Sequence, residues 1–284
     1  MSTVMMGTDV AKSMKEDLIR RTEELKRRGI SPKLCIVRVG SRPDDLAYER
    51  GAKKRMELVG IDCQVLELTE DISQAEFEAA FQKVNQDPEV HGILLFRPLP
   101  AHLDEEPVKA LIDPRKDVDG MSAVNLAKVF AGDETGFAPC TAEAVMAMLE
   151  AYGIDLKGKR AVVVGRSMVI GKPVAMLLLK KHATVTICHT RTEDLKGTCR
   201  QAQILIAAAG KAKMISGDMV GVGAVVADVG INVDEEGNLC GDVDFEEAKE
   251  KASYISPVPK GVGSVTTSVL ADHVLRGAGY LADL

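Results

Sequence analysis

The sequence predicts an α/β protein of two domains, each organised around a parallel sheet. Three observations carry this. Short apolar runs alternate with stretches of helical periodicity along most of the chain, the pattern of βαβ units. The series restarts after a helical stretch at 141–153, which puts a boundary near residue 140. And 284 residues are enough for two cores of ordinary size.

The elements follow in order. The first 29 residues read as an amphipathic helix, with Val10, Met14, Leu18 and Leu25 on one stripe and Gly29 as its stop. KLCIVRVG (33–40) is a buried strand ending in glycine, AYERGAKKRMELVGI (47–61) a helix and CQVLEL (63–68) a strand. SQAEFEAAFQKVNQD (73–87) is a helix with a serine N-cap and a glutamate three residues on. VHGILLF (90–96) is a strand that the prolines of RPLP break. In the second half, RAVVVG (160–165) is a strand and SMVIGKPVAMLLLKKH (167–182) a helix. ATVTICHT (183–190), AQILIAAAG (202–210) and AVVADVG (224–230) are further strands, and a last helix covers 266–280.

Composition narrows the function classes. Hydrophobic residues make up 46% and charged residues 27%, the balance of a soluble globular protein, and the net charge of −6 argues against nucleic acid as partner. The N-terminus lacks the basic-then-apolar order of a signal peptide, and no apolar run approaches the roughly 18 residues of a membrane span. Six cysteines without a C-x-x-C pair read as reduced thiols of a cytoplasmic protein. No His/Cys/carboxylate spacing suggests a metal site.

VVVGRSMVIGKP (162–173) lies at a strand-to-helix turn, where free backbone N–H groups and a helix dipole meet a dinucleotide's phosphates. Gly165, Arg166, Ser167 and Gly171 match the G-x-G-x-x-G fingerprint imperfectly, and a glycine turn here also has a purely structural explanation. The next strand ends His189-Thr190-Arg191, without the acidic residue that binds a ribose 2′-hydroxyl in NAD sites. Arg166 and Arg191 instead suit a 2′-phosphate, unless Arg191 simply faces water. A charge-assisted hydrogen bond of about 1.5–3 kcal/mol favours NADP over NAD by roughly tenfold to a hundredfold.

Three other segments stand out. KDVDGM (116–121) sets two aspartates beside a glycine, a surface turn or a carboxylate grip on a ligand's donors. FRPLPAHLD (96–104) is a rigid strand exit or one wall of a cleft at the strand's carboxyl end. PVPKGVGSVTT (257–267) is a Gly/Pro loop whose backbone can approach a flat ligand. His91 reads as a core residue, and His102, His182 and His273 as surface residues. No acid/base set is in view, and hydride transfer needs none once donor and acceptor rings are held face to face.

Taken together and in order, the tyrosine helix around Tyr48, GILLFRPLP, KDVDG, FAPCT, VVVGRSMVIGKP, ATVTICHT, DVGIN and PVPKGVGSVT resemble the methylenetetrahydrofolate dehydrogenase/cyclohydrolase family. The resemblance implies an N-terminal folate-side domain, 1–139 plus 268–284, and a Rossmann-like NADP-binding domain, 140–267. It also implies a homodimer. Tyr48 matches the tyrosine that stacks on the folate, a contact of about 0.5–1.5 kcal/mol beyond its buried area. Asp119 matches the aspartate that binds the pterin's donors. Pro98, Leu99, Gly261, Val262 and Gly263 line the folate on this reading. Gly165, Arg166, Ser167, Thr190 and Ile231 match the NADP contacts.

The chain departs from the family pattern at three linked positions. Bifunctional members carry a lysine four residues after the tyrosine, a glutamine in the G-I-L-V-Q-L-P strand end and often a serine three residues before the tyrosine. Here these are Ala52, Phe96 and Asp45. Lys53 is no obvious substitute, because position 53 lies about 140° from Tyr48 around a helix while position 52 lies about 40° away. The expectation is a dehydrogenase whose cyclohydrolase is absent or weak, unless Asp45 or Arg97 has rebuilt the hydrolytic site.

Overall fold

The computed structural model describes residues 2–283 and divides into two compact units. The first comprises Ser13–Cys140 and the chain from Thr267 onward; the second comprises the chain up to Lys12 and Thr141–Thr266. In chain order the elements are β1 (Thr3–Val4), α1 (Gly7–Arg27), β2 (Lys33–Val39), α2 (Pro43–Val59), β3 (Asp62–Leu68), α3 (Gln74–Gln86) and β4 (Gly92–Leu95). There follow α4 (Glu106–Leu111), α5 (Ala123–Ala131), α6 (Cys140–Ala151), β5 (Arg160–Val164), α7 (Gly171–Lys180), β6 (Thr184–Cys188), α8 (Leu195–Arg200) and β7 (Ile204–Ala207). The chain ends with β8 (Val225–Asp228), β9 (Asn232–Val233), β10 (Leu239–Cys240), α9 (Phe245–Lys249), β11 (Tyr254–Ile255) and α10 (Thr266–Leu281).

The sheet of the first unit has the order β3-β2-β4 and is parallel throughout. β2 is its centre, so KLCIVRV is apolar at nearly every position, as a strand covered on both faces must be. Val37, Ile93 and Leu95 pack with Phe77 and Phe81 of α3. The capping box expected at α3 is complete: Ser73 Oγ accepts from Glu76 N–H, and the Glu76 carboxylate accepts from Ser73 N–H. α2 begins at Pro43, four residues before the apolar pattern shows it. Proline suits a first turn, and Asp44 and Asp45 there complement the helix dipole. Ala52, Met56 and Val59 form its buried stripe. Arg38 of β2 is buried, with Nε 2.9 Å from Glu49 of α2 and Nη2 3.1 Å from Glu67 of β3. That pairing is what makes a buried guanidinium tolerable, and it ties α2 to the sheet.

The second unit holds a six-stranded parallel sheet in the order β1-β11-β8-β7-β5-β6, with β9 and β10 as a separate antiparallel pair. Val162, Val164, Leu205, Val226 and Ile255 form its core. Its first strand comes from a stretch that periodicity assigns to the opening helix. Thr3 and Val4 pair with Tyr254 and Ile255, so the described residues up to Lys12 belong to this unit and not to the other, where the sequence reading puts them. A two-residue edge strand is too short to leave a period in the sequence.

Two further expectations are corrected. α7 begins at Gly171 rather than 167, because the Ser167 hydroxyl accepts from the N–H groups of Ile170 and Gly171 and holds 167–170 as a turn. His273 is not at the surface: it is fully buried on α10, its Nδ1 2.7 Å from the carbonyl of Val118 and its ring 5.0 Å from that of Phe137.

α10 runs so close to its neighbours that Gly277 has no room for a side chain: a Cβ there would lie 2.5 Å from the carbonyl oxygen of His91 and 2.8 Å from that of Arg115. Glycine to alanine inside a helix ordinarily stabilises by up to about 1 kcal/mol. Gly277→Ala is expected to reverse that sign and destabilise by about 1–3 kcal/mol in urea unfolding; a more stable variant contradicts the packing described.

Candidate functional site

In both sheets the strand order reverses, around β5 in the six-stranded sheet and around β2 in the three-stranded one. β5 leads to β6 on one side and then to β7 on the other; β2 leads to β3 and then to β4. Open parallel sheets bind ligands in the crevice at the carboxyl ends of such strands. The candidate residues of each unit lie at these ends.

In the second unit, Gly165 leaves β5 with a φ of +131°, and a Cβ on it would come within 2.1 Å of the carbonyl oxygen of Ala208, just beyond β7. Only glycine passes there. The turn held by Ser167 then keeps the N–H groups of 166–169 out of the helix, and among the described residues they have no acceptor. They stand at the amino end of a ten-residue helix, so the loop presents several donors and a helix dipole to an anion. Thr190 and Arg191 follow β6 and are exposed. The N–H of Arg191 donates to His189 Nδ1 (3.1 Å), and that of His189 donates to Thr192 Oγ1 (2.9 Å), which shapes the turn. Neither Arg166 nor Arg191 is engaged in an ion pair among the described residues, so both guanidiniums are free for a phosphate.

Ile231 follows β8 with its side chain 68% exposed. Its Cδ1 is 3.8 Å from where a Cβ on Gly263 would sit, so Ile231 and the Gly261-Val262-Gly263 loop are brought together. Two buried aspartates that sequence reasoning passed over build this edge. Asp242 accepts from the N–H groups of Ala209 (2.5 Å), Gly210 (3.0 Å) and Lys211 (2.8 Å), the loop after β7, and from the Asn232 amide (2.9 Å). Asp228, at the end of β8, accepts from the N–H groups of Gly230, Asp242 and Val243. The available signal was an aspartate closing an apolar strand in DVGIN, a position where a buried carboxylate requires donors.

In the first unit, Tyr48 of α2 lies with its ring centroid 5.7 Å from that of Phe96, which follows β4 and is buried. Arg97, next in the chain, places Nη2 3.5 Å from Asp119 Oδ2, while Asp119 Oδ1 accepts from Cys140 N–H at 3.1 Å. Burial pushes the Asp119 carboxyl above the usual carboxylate range; the Cys140 N–H and the Arg97 charge pull the other way. The two aspartates of KDVDG divide their work. Asp117 accepts from Met121 N–H, Ser122 N–H and the Asn125 amide, and so builds the turn. Asp119 is left facing Arg97. Pro98 and Leu99 continue this strand exit, with Leu99 packed on the core beneath.

The three replaced positions are also accounted for. Ala52 is fully buried, one turn of helix beyond Tyr48. Asp45 forms a two-pronged pair with Arg42, 2.9 Å on each prong. Lys53 turns away: it is half-exposed, its Nζ is 3.9 Å from Glu49, and its charge acts on Cys63 of β3.

The fold and the loop at Gly165 define a Rossmann-type nucleotide-binding unit joined to an α/β unit with an aromatic and carboxylate site at its strand ends. Comparison with known proteins sharpens this. Residues 5–119 match the tetrahydrofolate dehydrogenase/cyclohydrolase catalytic domain, and 139–281 match the NAD(P)-binding domain of the same family. The chain belongs to that family. It is 57% identical to the bifunctional protein FolD of Clostridioides difficile over 273 residues, 96% of this chain and 95% of that one. Among solved structures, it is similar to the bifunctional FolD of Campylobacter jejuni, with a TM-score of 0.96, 41% identity and 99% of each chain covered. It is similar also to the Trypanosoma brucei FolD complexed with NADP and an inhibitor, with a TM-score of 0.94, 34% identity, 100% of this chain and 99% of that one covered.

The Asp228 carboxyl is pushed up to about 6, first by burial and then by the charge of Asp242, against the pull of its backbone donors. A carboxyl raised in the folded state binds its proton more tightly there than in the unfolded chain. Its contribution to stability is therefore present at low pH and lost as pH rises from about 4 to about 6, by roughly 2–3 kcal/mol. Relative to Asp228→Asn, the wild type is expected to lose stability across that window in urea unfolding; a constant difference between the two proteins rules the linkage out.

Proposed function

We propose that this chain oxidises 5,10-methylenetetrahydrofolate to the 5,10-methenyl product by hydride transfer to NADP, and that its cyclohydrolase activity is absent or weak. The observation that carries the proposal is the chain of contacts Tyr48–Phe96–Arg97–Asp119. It offers a ring face and a carboxylate to a folate, and its two charged members, Arg97 and Asp119, face each other. On this reading Tyr48, Asp119, Pro98, Leu99, Gly261, Val262 and Gly263 bind the folate. Gly165, Arg166, Ser167, Thr190, Arg191 and Ile231 bind NADP. The loop fits a dinucleotide's phosphates: unpaired N–H groups, a glycine where the backbone must pass closely, and two arginines without partners. NADP, when bound, supplies the hydride acceptor, and the protein's own part is to hold and orient. The protein works in the cytoplasm as a homodimer, the latter an inference from the family resemblance.

The two reactions of the family make unequal demands. Forming the methenyl cation requires positioning. Opening it with water requires a proton to move, and losing a placed acid or base costs about 10²–10⁴-fold. A lysine at position 52 would sit desolvated, the setting that turns an ammonium into a base; Ala52 has nothing to offer. Asp45 and Arg97, the two residues that could rebuild the site, are each engaged with a partner. The second reading is a bifunctional enzyme, favoured by the name of the 57% identical Clostridioides difficile relative.

A spectral time course with methylenetetrahydrofolate and NADP separates the readings. NADPH and methenyltetrahydrofolate are expected to rise together, and the methenyl band to persist as in an enzyme-free control. Faster decay of that band with enzyme present establishes the bifunctional reading. For the cofactor, Arg191→Ala is expected to lower the NADP-over-NAD ratio of kcat/KM by about tenfold to a hundredfold, with NAD kinetics unchanged; an unaltered ratio removes Arg191 from the site.

A further inference from the structure

Arg97 is unexplained by the hydride-transfer chemistry, and its position is specific. It follows the buried Phe96 at the carboxyl end of β4, and its guanidinium is the one cation given to Asp119 in the described structure. Its other partner is Cys140, whose N–H donates to Oδ1 and whose side chain also bonds to the carboxylate, while Oδ2 faces Arg97. Asp117, in the same turn, repels a second negative charge. The Cys140 thiol of α6 also donates to the carbonyl of Val118, and His273 of α10 lies behind it, Nδ1 3.8 Å from Sγ. Desolvation favours the protonated form of this carboxyl, and a protonated carboxyl presents a donor where a pterin presents donors of its own.

We propose that Arg97 is a positioning residue for substrate binding: it holds the Asp119 carboxylate in its anionic form, with one oxygen fixed, so that it can accept from the pterin's N–H groups. This rests on the assignment of Asp119 as the pterin-binding carboxylate. The contact is at 3.5 Å, long enough for Asp119 to turn towards a ligand without losing the field of the guanidinium. An arginine beside an aspartate lowers its pKa by about 1–3. Without Arg97 the acid form of Asp119 should persist to higher pH, and folate binding should weaken towards acid pH more than in the wild type.

The test is the pH dependence of kcat and of KM for methylenetetrahydrofolate in Arg97→Leu and Arg97→Lys, with KM for NADP as the check that the fold is intact. Arg97→Leu is expected to raise the folate KM about tenfold at the acid end of the profile, with the gap closing as pH rises and kcat little changed, so that the acid limb of kcat/KM moves up by about one pH unit or more. Arg97→Lys, which keeps the charge, is expected to restore most of the wild-type profile. A KM increase equal at every pH, or no increase, overturns the proposal, since a merely structural arginine leaves the acid limb in place. Asp119→Asn separates the underlying assignment. If that variant binds folate like the wild type, Asp119 is not the pterin contact and the proposal falls with it. If it weakens binding while Arg97→Leu leaves the limb unmoved, the role of Arg97 alone is refuted.

Discussion

The constraint on which this molecule rests is the reversal of strand order in a parallel sheet. A chain that lays down β2, crosses to β3 and then returns past β2 to β4 must part its connections at the carboxyl ends. The same happens at β5, β6 and β7. Nothing in the sheet itself fills the resulting gaps. What lines them is whatever the chain carries in the few residues after each strand. In this protein those residues are Gly165 to Ser167, Thr190 and Arg191, Ile231, and Phe96 to Leu99. The proposed function is therefore concentrated in short loops, with apolar, well-packed strands and helices behind them.

Loops that must keep a shape without a core require internal donors and acceptors, and here buried carboxylates supply the acceptors. Asp117 gathers three donors to form the turn that carries Asp119. Asp242 gathers the loop after β7, and Asp228 holds the backbone of Asp242 in turn. Each is an acceptor-only group satisfied by several N–H groups, an arrangement that is stable in a low-dielectric setting only when it is complete. The cost of burying the charge is thereby converted into loop geometry. Removing any one of these carboxylates would leave two or more backbone donors unpaired, which is a larger penalty than the loss of a single hydrogen bond.

The sequence made much of this legible and hid the rest for identifiable reasons. The α/β class followed from the period of the apolar runs, and the α3 capping box from Ser73 and Glu76 alone. The phosphate loop could be placed from its glycines, but not the point where α7 begins, because Ser167 holds the turn through its side chain and periodicity carries no trace of that. β1 was missed because two residues have no period, and its partner β11 is equally short. His273 looked like a surface residue because α10 is buried on more sides than an amphipathic stripe implies. Asp228 and Asp242 are fourteen residues apart and meet only in the fold. The difference between Asp117 and Asp119 was likewise invisible: both belong to one turn, and only the partners around each tell the turn builder from the carboxylate that faces Arg97.

The replaced residues are best understood as a set. A protein that hydrolyses a cation must hold water, a base and the cation together, so its polar residues depend on one another. If one is lost, the others no longer have a common task, and each position becomes free to serve packing or binding. On the proposed reading that is the state of this chain. Position 52 belongs to the buried stripe of α2 with Met56 and Val59. Position 96 gives Tyr48 a ring to lie against. Asp45 is tied into the first turn of α2 by Arg42. On the proposed reading none of these three replacements disturbs the residues for hydride transfer, which are Tyr48, Asp119 and the loop at Gly165. Two activities that share a substrate rest, on this reading, on separable side chains, so that one can be withdrawn while the geometry for the other stays whole.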